Sequence, residues 1–442
     1  MASLEDLGFR LMHVAIVGGG YAGMAAAVTL AERRIPVTVF ESAKQLGGRA
    51  RGVVSQGTQL DNGQHILLGC YRETLRLIGQ VGGAPESDFL RLPLQLTLHN
   101  RFELKAPRLP APLHLLAGLF RAQGISLKQR LNAVRFMNRM RWHRFELAED
   151  CTAADLLAHY GQDEALTRLL WEPICISALN TPLEYASAQV LLNVLRDALN
   201  GSRSDSDMLL PTLDFTALFP QRAAEFVRER GGAVEASCSI ERIDAHDNSF
   251  ELSTAQGVHH FSHVICAASA ANASRLLRKI PALIGTAGQI DRITYQPIYT
   301  VYLQYRPTVR LPHPMLGLDG CLGQWLFDKG RIAGQDGLIA VVISAEGVHQ
   351  NLTHPRLAER IIQELREQFG IAELPLWHQV IAEKRATFAC VPDMQRPDNL
   401  TPLPGLLLAG DYTAGDYPAT LEGAVRSGIR SAELILNGEA AR

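Results

Sequence analysis

Residues 13–51 read HVAIVGGGYAGMAAAVTLAERRIPVTVFESAKQLGGRAR and carry the strongest structural signal in the chain. An apolar run at 13–17 leads into the glycine motif GxGxxG at 18–23, and the small residues at 22–33 then favour a helix. A second apolar run follows at 37–40. This order predicts a strand, a glycine turn, a helix and a second strand.

Each glycine of the motif meets a separate physical demand. Gly18 permits a tight turn, Gly20 lets the backbone approach a pyrophosphate, and Gly23 allows the helix to pack closely on the strand. The turn also contains Tyr21, and the helix begins near Ala22. Its unpaired N–H groups and the positive end of its dipole would face the pyrophosphate.

An acidic residue completes the nucleotide-binding pattern. Glu41 ends the second strand and is followed by Ser42, at the distance of about 20 residues from the glycines that suits a ribose-binding carboxylate. An isolated glycine motif is weak evidence, but here both strands, the helix and the acid accompany it. The stretch therefore predicts a dinucleotide site rather than an ordinary glycine loop.

The next residues indicate which dinucleotide is bound. Gly47, Gly48 and Arg49 resemble the GGR motif of the flavoprotein superfamily that contains amine oxidases, carotenoid desaturases and protoporphyrinogen oxidases. The resemblance implies FAD, with Arg49 and the glycine backbone serving the diphosphate and the flavin edge. It also implies a backbone amide near Ile240 that faces the adenine. Ala268 and the residue after it depart from the Thr-Gly pair found in many relatives.

The C-terminal segment PGLLLAGDYTAGDYPATLEGAVRSGIRSAELI extends this resemblance. It predicts a buried strand at 406–409, a turn at Gly410 and Asp411, and a long helix from Thr420 onward. The resemblance places Asp411 near the ribityl chain and the diphosphate, and the helix N-terminus at Thr420 and Leu421 near the flavin O2 edge. A helix dipole there would stabilise negative charge on reduced flavin.

Length and composition limit the remaining choices. A chain of 442 residues is too long for one core and indicates two or three domains. With 47% hydrophobic residues and a net charge of −2, nothing indicates nucleic acid binding. The seven cysteines have no metal-ligand spacing, so we expect free thiols in a reducing compartment and no metal site.

The N-terminus carries no recognisable targeting signal. Glu5 and Asp6 are incompatible with a signal peptide, and the sequence has no run of 18 apolar residues, so we expect a cytoplasmic protein. Met12 directly precedes the first strand, which makes residues 1–11 a candidate dispensable extension.

The order of predicted elements gives an α/β fold. A Rossmann-like FAD-binding domain is combined with a discontinuous α+β substrate domain, as in amine oxidases and phytoene desaturases. Strand-like runs at 298–305, 338–344 and 380–385 predict the substrate-domain sheet. The expected FAD-binding segments are 1–90, 215–285 and 386–442, and the expected substrate-binding segments are 91–214 and 286–385. Further predicted elements are helices at 71–80, 150–160 (capped by Thr152), 186–199, 215–230 and 357–369, and strands at 233–236, 239–244, 250–253 and 258–267.

A basic and apolar segment interrupts this pattern. Residues 101–144 contain ten Lys or Arg and one acid, Glu103, in a chain of nearly neutral charge. Two interpretations stay open: helices that lie on an anionic bilayer, or a solvated face of the substrate domain. The apolar candidates for bilayer contact are Leu113, Leu116, Leu119, Phe120, Leu131, Phe136, Met137 and Trp142.

A second motif, LDNGQH at 60–65, has two interpretations as well. It is either a turn that presents side chains into a pocket or a simple Asn-Gly turn between two strands. Together with GDYTAGDYPATLEGAVRSG at 410–428, it resembles the squalene-associated FAD-dependent desaturase group, whose members dehydroxylate hydroxysqualene. The resemblance implies a C30 isoprenoid substrate in bacterial hopanoid synthesis, and functional coupling to presqualene diphosphate and hydroxysqualene synthases.

That reaction replaces an allylic hydroxyl by hydrogen, so it needs a hydride from reduced flavin and an acid for the leaving oxygen. The candidate acids are His65 and Asp61, with Asp416 and Tyr417 as more remote choices. His65 could donate a proton near neutral pH with little tuning, or could be a structural histidine. The electron donor and the oligomeric state are not indicated by the sequence.

Two other functions compete with this one. A carotenoid desaturase or an amine oxidase would use oxidised flavin and an electron acceptor, and an amine oxidase would also need an aromatic cage. A prenyl-lipid binding protein on the same scaffold would need no working flavin. The intact nucleotide motif with Glu41, Arg49 and Asp411 argues against the binding protein.

Overall fold

The computed structural model describes residues 12–247 and 249–441, so the candidate extension at residues 1–11 lies outside the described residues. The strands are β1 Val14–Val17, β2 Val37–Glu41, β3 Gly52–Ser55, β4 Thr58–Asp61, β5 Leu67–Leu68, β6 Phe89–Leu92, β7 Gln95–Leu98, β8 Phe102–Lys105, β9 Met208–Pro211, β10 Ala233–Ala236, β11 Arg242–His246, β12 Ser249–Thr254, β13 Gly257–Phe261, β14 His263–Cys266, β15 Tyr295–Gln304, β16 Met315–Gly317, β17 Trp325–Asp328, β18 Leu338–Ser344, β19 Trp377–Phe388 and β20 Leu406–Leu408.

The helices are α1 Tyr21–Glu32, α2 Arg72–Gln80, α3 Leu113–Arg121, α4 Leu127–Trp142, α5 Ala153–His159, α6 Glu164–Leu166, α7 Glu172–Leu179, α8 Ala188–Leu199, α9 Phe215–Leu218, α10 Pro220–Glu229, α11 Ala270–Leu277, α12 Ile284–Asp291, α13 Lys329–Ala333, α14 His354–Phe369 and α15 Leu421–Leu436. A π-helical turn, Thr167–Trp171, joins α6 to α7. Among the described residues, no helix is both long and apolar enough to cross a membrane.

A parallel sheet forms the nucleotide-binding half of the molecule. Its strand order is β10-β2-β1-β14-β20, so strands from three distant parts of the chain meet in one sheet. In β1, Ile16 lies opposite Val39 on one side and Ile265 on the other. All four residues of β1 are buried, because α1 covers one face of the sheet and the antiparallel strands β11–β13 cover the other, where Phe40 packs against Phe261. The predicted strand, turn, helix and strand are confirmed.

Small residues allow the helices of this half to approach each other and the glycine turn. A Cβ atom on Gly23 would lie 1.9 Å from the carbonyl oxygen of Gly18, so only glycine lets α1 start this close to the turn. A Cβ atom on Gly428 in α15 would lie 2.1 Å from the carbonyl oxygen of Ala22. The two glycines therefore fix the spacing between α1, α15 and the turn.

A seven-stranded sheet, in the order β19-β15-β18-β17-β16-β7-β8, forms the other half. The three predicted strands are confirmed as β15, β18 and β19, whereas β7, β8, β16 and β17 were not predicted. Successive side chains of a strand point to opposite faces. Accordingly, Val342 and Ser344 line a cavity, while Val341 and Ile343 belong to the core cluster that contains Leu357 of α14.

The LDNGQH segment does not form a hairpin turn. The strand before it, β4, pairs with β3, and the strand after it, β5, pairs with β9 in a different sheet. Residues 62–66 instead line the cavity between the two large sheets. Of the two interpretations, the pocket-facing turn is the one observed.

Two predicted elements are interrupted where the sequence suggested continuity. The helix at 215–230 divides into α9 and α10 at Phe219, because the residue before a proline disfavours the helical conformation and Pro220 follows. The strand at 258–267 divides at Ser262, since β13 belongs to an antiparallel sheet and β14 to the parallel one. The strand predicted at 239–244 begins only at Arg242.

The predicted helix cap at Thr152 is confirmed, because the Thr152 side chain accepts a hydrogen bond from Asp155 N.

Candidate active site

A cavity of about 510 Å³ lies between the parallel sheet and the seven-stranded sheet. Most of the residues predicted to bind the cofactor line it, together with His65, one of the two predicted catalytic residues, although they come from four separate parts of the chain. Those that line it are Gly18, Gly20, Tyr21, Ala22, Glu41, Ser42, Gly47, Gly48, Arg49, His65, Ile240, Gly410, Asp411, Thr420 and Leu421. Gly23 and Asp61 are not part of its lining.

The Glu41 carboxylate is held at one end of this cavity by backbone amides. Its Oε2 accepts a hydrogen bond from Gly19 N at 2.7 Å, and its Oε1 accepts one from Ala43 N at 2.8 Å. Ser42 Oγ also donates to Oε1 at 3.2 Å, so Oε2 keeps the lone pair that can accept a bond from a ligand. A ribose hydroxyl group fits this arrangement. Ile240 lies in the same cavity wall.

Two glycine turns meet beside this carboxylate. Gly47 N donates to Gly19 O at 2.9 Å, and Gly20 and Gly47 form an isolated bridge. Gly18 has a φ of +115°, a conformation open to glycine and rarely to other residues. The turns leave room for close approach of a ligand to the backbone, as a pyrophosphate requires.

Arg49 and Asp411 form an ion pair in the cavity wall. Arg49 Nη2 donates to Asp411 Oδ1 at 2.5 Å, and Nη1 donates to Ala386 O at 2.6 Å. Burial by itself would lower the pKa of Arg49, but the charge and hydrogen bond of Asp411 outweigh burial and raise it. The neighbouring Tyr412 phenol is buried and has no hydrogen-bond partner among the described residues. A buried polar atom of this kind calls for a polar group of a ligand.

A second chamber of about 530 Å³ adjoins the first. Its wall is mainly apolar and comes from α3, α4, α7 and α8 together with strands of the seven-stranded sheet. Representative lining residues are Leu96, Leu115, Leu116, Leu119, Met137, Leu170, Ile174, Val194 and Leu195. We refer to this space as the apolar chamber.

The apolar chamber and the first cavity share part of their walls. The residues that line both are Ile66, Tyr71, Ser177, Ala178, Met315, Trp325 and Thr420. We call this set the junction. None of its members except Thr420 was predicted as a site residue. The sequence offered no signal for the others because they lie on separate elements that meet only in the folded chain.

His65 lies in the first cavity with its ring against Phe215. Its Nδ1 is 2.7 Å from Gly63 O, so Nδ1 carries a proton and donates it to that carbonyl. Burial lowers the pKa of His65 and the Arg49 charge lowers it further, while the Gly63 bond acts in the opposite direction. The neutral ring therefore has an unprotonated Nε2. This arrangement suits a hydrogen-bond acceptor better than the proton donor expected from the sequence.

Asp61 lies beneath the cavity wall instead of facing the cavity. Its Oδ1 accepts a bond from Phe215 N at 2.9 Å, and its backbone carbonyl accepts one from the Tyr302 hydroxyl at 3.0 Å. Burial raises the pKa of Asp61 to about 6, although the Lys329 charge and the Phe215 bond lower it. Lys329 Nζ in turn donates to Gln64 Oε1 at 3.2 Å. These buried groups support the loop that carries His65, and Asp61 does not reach the cavity.

The family described as flavin containing amine oxidoreductase matches residues 21–436, which is almost the entire chain. The protein belongs to this family. Among curated proteins, the chain is 28% identical to a hydroxysqualene dehydroxylase of Sinorhizobium fredii and 26% identical to one of Zymomonas mobilis. Each match covers 96% of this chain and 98% of the relative. Among solved structures, cyclohexylamine oxidase from Brevibacterium oxydans superposes with a TM-score of 0.69 at 18% identity, over 97% of this chain and 99% of that one.

Membership in a flavin-containing family makes the protein an FAD-dependent oxidoreductase, and the first cavity is the candidate site for the cofactor. The residues present fit that cofactor, since the buried Tyr412 hydroxyl lacks a partner in the described structure and the glycine turns leave the backbone accessible. Glu41 would hold the adenosine ribose, the turns with Arg49 the diphosphate, and the N-terminus of α15 the flavin ring. We call this space the flavin cavity.

Proposed function

We propose that this flavoenzyme reduces the allylic alcohol hydroxysqualene to squalene. The observation that carries the proposal is that a chamber lined mainly by hydrocarbon side chains adjoins the flavin cavity and shares the junction residues with it. A C30 isoprenoid offers almost nothing but apolar surface, and its transfer from water is favourable by about 25 cal/mol per Å² buried. The names of the two curated relatives support the same substrate.

The chamber argues against an amine as the substrate. A buried ammonium group needs a partner of opposite charge. Asp197 is the carboxylate in the described lining of the chamber, and it already pairs with Arg196 Nε at 2.8 Å and accepts a bond from the Tyr417 hydroxyl at 2.6 Å. A hydrocarbon requires no such partner, so the chamber favours an isoprenoid over an amine.

The chain's own residues would prepare the reaction in three ways. The apolar wall excludes water, which protects a developing allylic cation from capture. The α15 N-terminus, capped by Thr420 whose side chain accepts from Gly423 N, favours negative charge at the flavin end. Arg49 and Asp411 fix each other in the cavity wall. Bound reduced FAD would supply the hydride.

A carotenoid-type desaturase is the alternative, because a long polyene would also fit an apolar chamber. The two reactions run in opposite redox directions: dehydroxylation consumes reduced flavin, and desaturation consumes oxidised flavin. Anaerobic mixing of photoreduced protein with hydroxysqualene separates them. We expect the oxidised flavin spectrum to return as squalene forms in equal amount, measured by mass spectrometry of extracted lipid. If hydroxysqualene is recovered unchanged and the flavin stays reduced, dehydroxylation is ruled out and desaturation becomes the favoured function.

We also propose that the chamber opens toward a lipid surface. On α4, the exposed residues Leu127, Leu131, Arg135, Asn138 and Trp142 recur every three or four positions and so share one helix face. Asn138 also lines the apolar chamber, which places this face beside the chamber wall.

Phe120 at the end of α3 supports the same surface, since it is 43% exposed and also lines the chamber. Basic side chains, including Arg121 and Lys128, surround the exposed apolar ones and suit an anionic bilayer. Four of the candidate residues named from the sequence do not fit this surface as expected. Phe136 is buried in the core, and Leu116, Leu119 and Met137 are half-buried in the chamber wall.

Vesicle sedimentation tests the lipid surface. We expect binding to vesicles that contain anionic phosphatidylglycerol and weaker binding to neutral phosphatidylcholine vesicles. The double variant Phe120→Ser and Trp142→Gln should bind less, because both exposed rings are lost. Leu374→Ser, which removes a comparably exposed side chain elsewhere, serves as the control. Equal binding by the double variant and the control would assign the basic and apolar segment to a solvated face.

The same proposal places the protein at the inner face of the cytoplasmic membrane. A C30 alcohol partitions into lipid, so the enzyme that supplies it and this enzyme would exchange it through the bilayer. We propose functional coupling to presqualene diphosphate and hydroxysqualene synthases on this ground. The electron donor that reduces the flavin again after each turnover is a separate partner.

A further inference from the structure

The junction contains a tyrosine that no sequence motif singled out. Tyr71 immediately precedes α2 and lines both the flavin cavity and the apolar chamber. Thr420, the residue that caps α15, lines the same junction. Tyr71 therefore lies where the apolar chamber meets the flavin cavity.

The other polar side chains of the junction are less suited to give a proton. Thr420 Oγ1 donates to Pro418 O at 3.3 Å and accepts from Gly423 N at 3.1 Å, so it is engaged in capping. Ser177 presents an aliphatic hydroxyl, and Trp325 presents an indole N–H. In water both are far weaker acids than a phenol, whose ordinary pKa is about 10, and burial weakens all three acids in the same direction.

Buried contacts hold Tyr71 in place. Its backbone N donates to Leu68 O at 3.0 Å. The fully buried Glu422 of α15 accepts bonds from Glu73 N at 3.2 Å and from Thr74 N at 2.9 Å, which ties the first turn of α2 to the first turn of α15. Tyr71 and the helix end that faces the flavin are thus positioned by the same carboxylate.

We propose that Tyr71 is the general acid that protonates the departing allylic hydroxyl. This assignment rests on the proposed function. The C–O bond breaks, its electron pair stays on oxygen, and the oxygen takes the Tyr71 proton and leaves as water. The carbon is reduced by a hydride from reduced flavin, which is the reductant and becomes oxidised. Tyr71 recovers its proton from solvent after the product has left.

The surroundings of Tyr71 keep the phenol protonated until the departing oxygen, which becomes more basic as the C–O bond breaks, takes the proton. Burial raises the pKa of the phenol well above its ordinary value, and Cys70, Glu422 and Tyr417 raise it further, while the neighbouring Thr420 side chain lowers it. The phenol therefore stays protonated across the neutral range. His65 and Asp61 lack this combination, since His65 is neutral with an unprotonated Nε2 and Asp61 lies outside the cavity.

Substitution of Tyr71 by Phe in the holoenzyme tests the assignment. We expect the single-turnover rate with hydroxysqualene to fall by about 10²–10⁴-fold, the range for loss of a general acid. Flavin content, and the affinity of oxidised holoenzyme for hydroxysqualene measured from the flavin spectrum, should match the unmodified protein. Tyr305→Phe is the matched control, because it removes a buried phenol oxygen outside both cavities.

The acetate ester of hydroxysqualene separates an acid from a positioning residue. Acetate leaves as a carboxylate and needs no proton, so Tyr71→Phe should process the ester at the rate of the unmodified protein. An equal loss of rate on alcohol and ester would make Tyr71 a positioning residue and overturn the assignment, as would full activity of the variant on the alcohol. If the unmodified protein fails on both substrates, the proposed function has failed, and the assignment falls with it.

Discussion

The flavin cavity and the apolar chamber are neighbours, but the chain builds them in different ways. Polar contacts in the flavin cavity come from backbone amides, glycine turns and a few charged groups that lie in short continuous motifs. The wall of the apolar chamber is assembled from side chains on α3, α4, α7 and α8. The motifs that bind the cofactor are therefore short and continuous in the sequence, whereas the shape of the chamber that selects the substrate depends on how helices distant in the sequence pack together.

The largest effect should come from a substitution in the glycine turn beside the flavin cavity, which is the site built from local motifs. Gly23→Val places a Cβ atom 1.9 Å from Gly18 O, so α1 and the glycine turn must separate. We expect the purified variant to carry no FAD, measured as flavin absorbance per protein. Gly288→Ala is the control, because a Cβ atom on this helical glycine has no neighbour within 4 Å. The control should keep its flavin and gain up to about 1 kcal/mol of stability. A Gly23→Val protein with a full complement of FAD would contradict the packing role.

The residues of the flavin cavity could be predicted from the sequence for a physical reason. The glycines at 18 and 23, the acid at 41 and the turn at 410 each answer a backbone or hydrogen-bonding demand that a specific residue type meets. Because the demand is local, the spacing of residues along the chain is enough to predict it. The same holds for the Thr152 cap, where a hydroxyl and an amide three residues away satisfy each other.

The apolar chamber should tolerate substitutions better than the glycine turn. Filling it should lower the turnover of the substrate without changing the FAD content. Val194 lies on α8 in the chamber wall and is absent from the flavin cavity. Val194→Trp puts a bulky ring where the isoprenoid would lie, and a misplaced substrate costs about 10²-fold in rate. We expect turnover of hydroxysqualene to fall by that factor while the FAD content is unchanged.

Val194→Ile is the matched control, because it adds one methylene to the same wall. It should change turnover only slightly. If Val194→Trp loses flavin as well, the two cavities are coupled more tightly than their separate walls suggest. Full activity of Val194→Trp would show that the substrate does not occupy this part of the chamber.

The failures of the sequence analysis follow the same division. Phe136 and Leu116 were grouped with the exposed apolar residues, because a list of residue types does not reveal which side of a helix meets a neighbour. Tyr71 was passed over because Thr420, which lines the junction with it, is more than 300 positions away in the sequence. Asp61 was chosen for its carboxyl group, but its bond to Phe215 depends on a contact between distant segments.

Asp61 lies in neither cavity, and this gives the smallest of the expected effects. The pKa of its carboxyl group is about 6 in the folded protein and 3.8 for an unperturbed aspartate. Between these pH values the folded state binds more protons, so the contribution of Asp61 to stability is full below pH 3.8 and is lost as pH rises through about 6. The loss is on the order of 3 kcal/mol.

Asp61→Asn keeps an oxygen that accepts from Phe215 N and removes the titrating group. Lys329 and Asp214 both face this carboxyl group, and both are present in the unmodified protein and in the variant, so the comparison isolates the titration of Asp61. We expect the stability of the unmodified protein, relative to the variant, to decline between pH 4 and pH 7 in urea unfolding. FAD content and turnover should stay close to normal, because the side chain reaches neither cavity. A large loss of turnover with no change in this pH dependence would return Asp61 to the list of candidate acids.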